Sequence, residues 1–279
     1  MNSFYIGKYF TITLSYFMLR EHKIFQSELY QTNCSVLVYD ECKIVIDPNW
    51  LPSEVKNIRT FVDQTHDNTP IFCIYTHADY DHIIGSYLFD DAIGIASQQC
   101  VSRGKSSVPQ SDIQDFYNTF YINIPTAVDF PKIDIIIKNS EQTLLLEGVQ
   151  MQFYFLPGHT IDSISVYFPE EEILILGDYL SDIECPWIDN NFELYRMSLM
   201  EIEKIILNHP LKCIVPGHGR KMTHQSEALW RIERDLQYLE ILESKAEPDE
   251  IVDFFNKNYS PNPKLLEIHH LNEKKLYKN

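Results

Sequence analysis

Four apolar runs in this chain each end on a histidine or an aspartate: IFCIYTHADYDH, MQFYFLPGHT, ILILGDYL and KCIVPGHG. Short apolar runs closed by Gly, Pro or charged residues read as buried strands, being too brief for helices. A strand that stops at a polar loop delivers that loop's side chains to a sheet edge, where functional residues concentrate. If the four edges coincide, His77, Asp79, Asp81, His82, His159, Asp178 and His218 converge at one edge of a sheet sandwich. Such a set holds enough nitrogen and oxygen donors for two metal ions that share a carboxylate.

The rest of the chain supplies the elements that such a sandwich needs. Ser35 to Tyr39 and Lys43 to Ile46, split by Asp40-Glu41, predict a hairpin. Ser53 is the expected N-cap of a helix carrying Val55, Ile58, Phe61 and Val62 at helical spacing. Residues 102–131 mix small polar residues, prolines and aromatics without a period, which predicts an irregular covering segment. From Ile133 the pattern resumes as two or three strands with a turn at Glu147-Gly148, and two more flank the acidic turn Glu170 to Glu172. Leu199 to Leu207 predicts a helix, and residues 226–259 predict two, with Leu229, Ile232, Leu236 and Leu239 as an apolar stripe. The expected division is a catalytic unit over 1–225 and a helical extension over 226–279 packed on the same domain.

Composition narrows the setting. With 279 residues, 44% of them hydrophobic, the chain can bury a substantial core without disulfides. Its six cysteines form no CxxC pair, which argues against a thiolate zinc site and for a reducing, cytoplasmic environment. No basic and apolar leader opens the chain, and no stretch of about 20 apolar residues predicts a membrane span. The formal charge of -17 repels polyanions, so nucleic acid is a disfavoured partner and a small molecule the expected one.

HADYDH followed by separate PGH, GD and PGH motifs resembles the metallo-β-lactamase fold superfamily, whose HxHxDH signature precedes His, Asp and His motifs in this order. The likeness runs from about Ser35 to Gly219 and implies a four-layer αββα sandwich of the α/β (α+β) class. It also implies a metallohydrolase with two divalent ions, zinc first. Carried onto this chain, the family pattern puts His77 and His159 on the first metal, Asp81, His82 and His218 on the second, and Asp178 on both. A metal-bridging hydroxide would attack a carbonyl or phosphorus centre, with Asp81 as the catalytic residue that orients it and passes a proton to the leaving group. Asp47 matches an aspartate that supports the ligands from behind. Since the family's Asp-Thr-Gly is Asp47-Pro48-Asn49 here, only the carboxylate's role carries over.

Asp79 is the departure, standing where the family usually has its second histidine. A divalent pair with two carboxylates and a hydroxide keeps one net positive charge, and ligation by Asp79 would remove it, favouring iron or manganese over zinc. The superfamily's flavodiiron oxygen reductases carry a glutamate there. The function expected first is therefore hydrolysis of a small-molecule ester, thioester, lactone or phosphodiester. The alternatives are a non-haem iron oxidoreductase acting on oxygen, nitric oxide or a sulfur species, and a metal-binding module without turnover. His22, His66, His209 and His224 are expected to be solvated, Cys73 to be a packing residue, Tyr195 and Ser198 to contact substrate unless Tyr195 simply packs among aromatics, and His269-His270 to be a helix-surface pair or to dip into the cleft.

Overall fold

The protein is described by a computed structural model covering residues 3–5, 11–13, 18–65, 69–104, 108–122, 129–260 and 262–277. Two short strands, β1 (Ser3–Tyr5) and β2 (Thr11–Thr13), pair with each other. The others form two sheets. The first has six strands, β3 (Leu19–Gln26), β4 (Asn33–Tyr39), β5 (Lys43–Ile46), β6 (Ile71–Ile74), β7 (Ile93–Ser97) and β8 (Ile135–Ile137), in that spatial order. It is antiparallel from β3 to β5 and parallel from β5 to β8. The second comprises β9 (Gln142–Leu146), β10 (Val149–Phe155), β11 (Ile164–Phe168), β12 (Ile173–Ile175) and β13 (Cys213–Val215), in the order β13-β12-β11-β10-β9.

The near-continuous apolar character of β4, β5 and β6 follows from burial on both faces. Leu37, Ile44, Ile46, Phe72 and Ile74 point inward against Met151, Phe153, Val166 and Val215 of the second sheet. Their neighbours Val36, Val38, Val45 and Cys73 face the opposite way, onto Val55, Ile58 and Val62 of helix α1 (Pro52–Gln64). The outer face of the second sheet, with Tyr154, Tyr167 and Leu174, packs against the later helices. The result is the αββα sandwich that the family resemblance implies.

Helix α1 begins one residue before the expected cap, at Pro52, after Leu51, which makes no side-chain cap bond. Proline suits this first position, where the backbone N–H has no helical partner to lose. Most of the described residues in the segment read as irregular are helical. After α2 (Tyr80–Ile83) and a 3-10 turn (Ile84–Leu88) come α3 (Gln98–Gly104) and α4 (Val108–Thr119). Aromatic stacking holds α4 down, with the Phe116 ring 4.2 Å from that of buried Trp50. Tyr117 beside Phe116 is buried in the same cluster, and two adjacent anchors leave little periodic signal in a sequence. Beyond α5 (Phe192–Asn208), the stretch 226–259 holds the two helices expected of it, α6 (Gln225–Ser244) and α7 (Pro248–Asn258), and α8 (Lys264–Leu276) follows them. They share one apolar cluster with α5 and the second sheet. Among the described residues, no helix is long and apolar enough to cross a membrane.

Gly85, in the 3-10 turn, donates its N–H to the Asn49 carbonyl at 2.7 Å. A Cβ there would collide with the backbone oxygens of Pro48 and Asn49, so glycine is what lets the Asp47–Asn49 loop lie on the turn behind His82. Gly85→Ala is expected to cost about 1–3 kcal/mol through this overpacking. A fall in the urea midpoint at unchanged slope would register it, whereas wild-type stability would mean that the loop yields freely.

Candidate metal centre

The four predicted strand ends do coincide. Strand β6 leads into Thr76-His77, and Asp79 caps the short helix α2, whose turn carries Asp81 and His82. Strands β10, β12 and β13 lead into His159, Asp178 and His218. Backbone bonds stitch the two sheets together here: Ile164 N–H donates to Thr76 O at 2.9 Å and Asn33 N–H to Gly217 O at 2.7 Å. At Gly217 a Cβ would strike the Asp178 carboxylate, so the absence of a side chain makes room for the acid at the centre.

All seven predicted side chains meet around Asp178. Its Oδ2 lies 3.5 Å from His77 Nε2, 3.2 Å from His159 Nε2 and 3.2 Å from His218 Nε2, while its Oδ1 lies 3.1 Å from His82 Nε2. Asp79 Oδ2 is 3.6 Å from His77 Nε2 and 3.3 Å from His159 Nε2. Asp81 Oδ2 is 3.5 Å from both His82 Nε2 and His218 Nε2. Two triads result, His77-Asp79-His159 and Asp81-His82-His218, each with its donor atoms within 4.8 Å of one another.

The imidazoles are all held by their outer nitrogen. His82 Nδ1 is 2.9 Å from Asp47 Oδ2, His159 Nδ1 is 2.8 Å from Trp187 O, and His218 Nδ1 is 2.8 Å from Tyr30 O. His77 Nδ1 lies 3.0 Å from Thr76 Oγ1, whose own hydrogen goes to Asp47 Oδ2 at 2.7 Å. Each partner can only accept, so Nδ1 carries the proton in the neutral ring and the Nε2 lone pair faces inward. Asp47 thus takes the supporting place expected of it behind His82.

This inward concentration of donors is electrostatically costly without cations. Burial works against the charged form of Asp178, but His218, His82 and His77 outweigh it and hold the carboxyl well below its ordinary range. Burial likewise opposes ionisation of Asp79, and His77, His159 and Arg103 outweigh it, again well below. Conversely, despite burial, Asp178 and its neighbouring carboxylates raise His82 and His159 well above the usual imidazole value and His218 to about 10. His82 Nε2 and Asp178 Oδ1 are buried side by side, yet neither has a hydrogen-bond partner. A buried polar atom without a partner costs free energy, and divalent cations set among these atoms would satisfy both. The donor set therefore fits a metal pair bound by nitrogen and oxygen.

A family model described as the metallo-beta-lactamase superfamily matches residues 28–218. The chain belongs to this superfamily. It is 26% identical over 193 residues to the hydroxyacylglutathione hydrolase of Pelagibacter ubique (strain HTCC1062), covering 67% of each chain. It is 27% identical over 146 residues to the metallo-beta-lactamase type 2 of Bacteroides fragilis, covering 51% of this chain and 55% of that one. Among solved structures, the B3 metallo-beta-lactamase BLEG-1 superposes with a TM-score of 0.58 at 20% identity, over 75% of this chain and 96% of that one, a likeness of fold.

Within the superfamily frame, Arg103 is the residue that sequence reasoning missed. Its guanidinium pairs with Asp79 Oδ1 through Nη2 and reaches Asp162 Oδ1 at 3.1 Å through Nη1. Asp162 also accepts the Ala78 N–H at 2.7 Å, so Arg103 and Asp162 brace the His77–Asp79 loop from outside. The charge argument for Asp79 changes accordingly: the extra carboxylate arrives with a cation on its outer oxygen, which restores the positive charge that Asp79 removes. The signal in sequence was weak, since Arg103 lies 24 residues beyond Asp79 within the segment read as irregular.

Beside the triads opens a cavity of about 220 Å³, walled in part by Tyr30, Arg103, Glu184, Trp187 and Lys264. Tyr195 reaches its lining but packs on Tyr179 with ring centroids 4.7 Å apart, as the packing alternative has it. Cys73 is a buried core residue. Other histidines depart from expectation. His22 is half-buried, and burial pushes it down to about 4, while half-buried His209 bonds Tyr154 Oη at 3.0 Å. His224 is exposed, and His66 lies outside the described residues. His269 neither dips into the cleft nor lies on the surface; it is buried against Tyr238, with His270 exposed beside it.

Arg103→Gln is expected to destabilise the metal-free chain by about 3 kcal/mol, because it takes a charged partner from Asp162, whose side chain is 0% exposed. Chemical denaturation measures this directly. A variant as stable as wild type would show that the brace carries no weight.

Proposed function

We propose that the protein is a dinuclear metal-dependent hydrolase of a small-molecule ester, thioester or lactone, with a small phosphodiester second. The observation that carries this reading is the pair of triads set around one shared carboxylate: His77, Asp79 and His159 would hold one ion, Asp81, His82 and His218 the other, and Asp178 both. When bound, the divalent ions supply Lewis acidity toward a developing oxyanion and make water more acidic near neutral pH.

The protein's own groups do the rest. Asp81 Oδ2 accepts the Thr32 hydroxyl at 3.0 Å, which orients the carboxylate toward the centre. In this position Asp81 takes the nucleophile's proton and returns it to the leaving group. The Nδ1 anchors on Asp47, Thr76, Tyr30 and Trp187 keep the four imidazoles from turning, so the donor geometry is prepared before substrate arrives. The cavity bounds the substrate in size, and the aromatic rings of Tyr30 and Trp187 offer apolar surface near the Lys264 cation. The net charge of -17 disfavours polyanions. The relative named for hydrolysing hydroxyacylglutathione puts acyl substrates first. The free thiols, five of them buried, suit a reducing compartment such as the cytoplasm.

Asp79 sustains a second reading, a non-haem iron oxidoreductase, since a third carboxylate in the centre suits iron or manganese. Metal content of protein purified without added metal separates the two: about two zinc ions per chain supports the hydrolase, and iron supports the redox enzyme. For the hydrolase, His82→Ala and Asp178→Ala are each expected to lower turnover at least about 100-fold while the fold is kept, and removal of metal by a chelator to do the same reversibly. Full activity in either variant against ester, thioester and lactone substrates would refute the assignment.

A further inference from the structure

Residues 176–191 run beside the centre as neither helix nor strand, so their buried backbone groups need partners from elsewhere. The C-terminal helices provide them. Arg231 Nη1 donates to Leu180 O at 2.8 Å and Arg234 Nη2 to Ser181 O at 2.7 Å, both from α6. From α8, Asn272 Nδ2 donates to Pro186 O at 2.6 Å while its Oδ1 accepts the Ile188 N–H at 3.1 Å. Asn272 is 2% exposed, and its carboxamide is held in turn by Tyr238 Oη at 3.0 Å.

The residue between those two contacts is Trp187, whose carbonyl accepts from His159 Nδ1. One planar carboxamide therefore grips the chain on both sides of the carbonyl that orients His159. The other three imidazoles depend on nothing of this kind. His77 rests on Thr76, His82 on Asp47 and His218 on the Tyr30 carbonyl, all within the first 76 residues; α8 approaches these anchors at the Tyr30 ring, whose centroid is 5.9 Å from Lys264 Nζ, and not at the carbonyl that His218 uses.

We propose that Asn272 is a positioning residue for His159, acting through the Trp187 carbonyl, so that α8 is a working part of the centre. This goes beyond the family-matched residues 28–218, which stop well before α8, and it rests on reading the seven side chains as a metal centre. If the Trp187 peptide turns, His159 loses the acceptor that keeps its Nδ1 protonated and its Nε2 lone pair inward. The His77-Asp79-His159 triad then weakens while Asp81-His82-His218 does not.

The test uses the full chain, with zinc titrated against a chromophoric chelator in wild type, Asn272→Asp, Asn272→Ala and, as a control, Ile268→Ala. Asn272→Asp keeps the shape and the acceptor for Ile188 but sets a carboxylate against the Pro186 carbonyl; Asn272→Ala removes both bonds. Ile268 is fully buried on the same helix and has no side-chain bond to residues 186–188. Both Asn272 variants are expected to bind one of two zinc ions about 10- to 100-fold more weakly, with the other unchanged, while Ile268→Ala lowers the thermal midpoint and leaves both affinities alone. Wild-type binding of both ions by the Asn272 variants overturns the proposal, as does loss of the same ion in Ile268→Ala, which would trace the effect to stability. A wild-type chain that takes up no divalent ion would end the metal-centre reading instead. The proton-coupled nitrogen resonances of the His159 ring then decide the positioning role alone: loss of the protected Nδ1–H signal in Asn272→Asp supports it, and an unchanged signal overturns it.

Discussion

Asp178, its side chain 12% exposed, has four imidazole nitrogens within 3.5 Å of its two carboxylate oxygens. So many charged and polar atoms in one dry place make sense only if every donor is held rigidly and something positive joins them. Much of the surrounding architecture meets that demand. Two sheets present their strand ends at one edge, cross-sheet backbone bonds keep those edges in register, and Gly217 leaves space for the carboxylate. Each histidine is tied by its outer nitrogen to a group that can only accept. The sandwich is thus a frame for seven side chains as much as a hydrophobic core.

Asp79 shows how a change in one ligand draws in its surroundings. Replacing a neutral histidine by a carboxylate adds a negative charge to an already acidic centre. Arg103 offsets it from the outer oxygen, and Asp162 keeps Arg103 in place while gripping the Ala78 amide. Aspartate and arginine together resemble one neutral ligand in charge, though not in geometry or hardness. The extra carboxylate therefore does not by itself make the centre electroneutral, and it bears on metal identity chiefly through its oxygen donor.

The C-terminal helices enter the same logic from the other side. An irregular segment next to the centre carries backbone groups that no ladder or helix satisfies, and Arg231, Arg234 and Asn272 satisfy them. In the sequence, these three residues stand in a tail whose visible feature is an apolar stripe. A buried arginine or asparagine there looks like any polar position on a helix until its partner's location is known.

What could be read from the chain alone was local or nearly so. The strands around Ile44, Cys73, Val166 and Ile214 show as apolar runs because burial on both faces leaves its mark on consecutive residues. The seven donors show because each follows such a run directly, and their order carries the family likeness. Helix α4 escaped because its buried rings, Phe116 and Tyr117, are adjacent and make no helical period, whereas α6 and α7 showed as the two helices expected. Arg103, the Trp187 carbonyl and Asn272 escaped for a stronger reason. Their partners lie 24, 28 and 86 residues away and are reached across loops. The sequence by itself determined which donor groups stand at strand ends and where strands stop, since those depend on residue type and neighbouring burial. Only the tertiary structure decided which cation offsets Asp79 and what aims His159, because those contacts exist only once the sheets and helices have closed around one another.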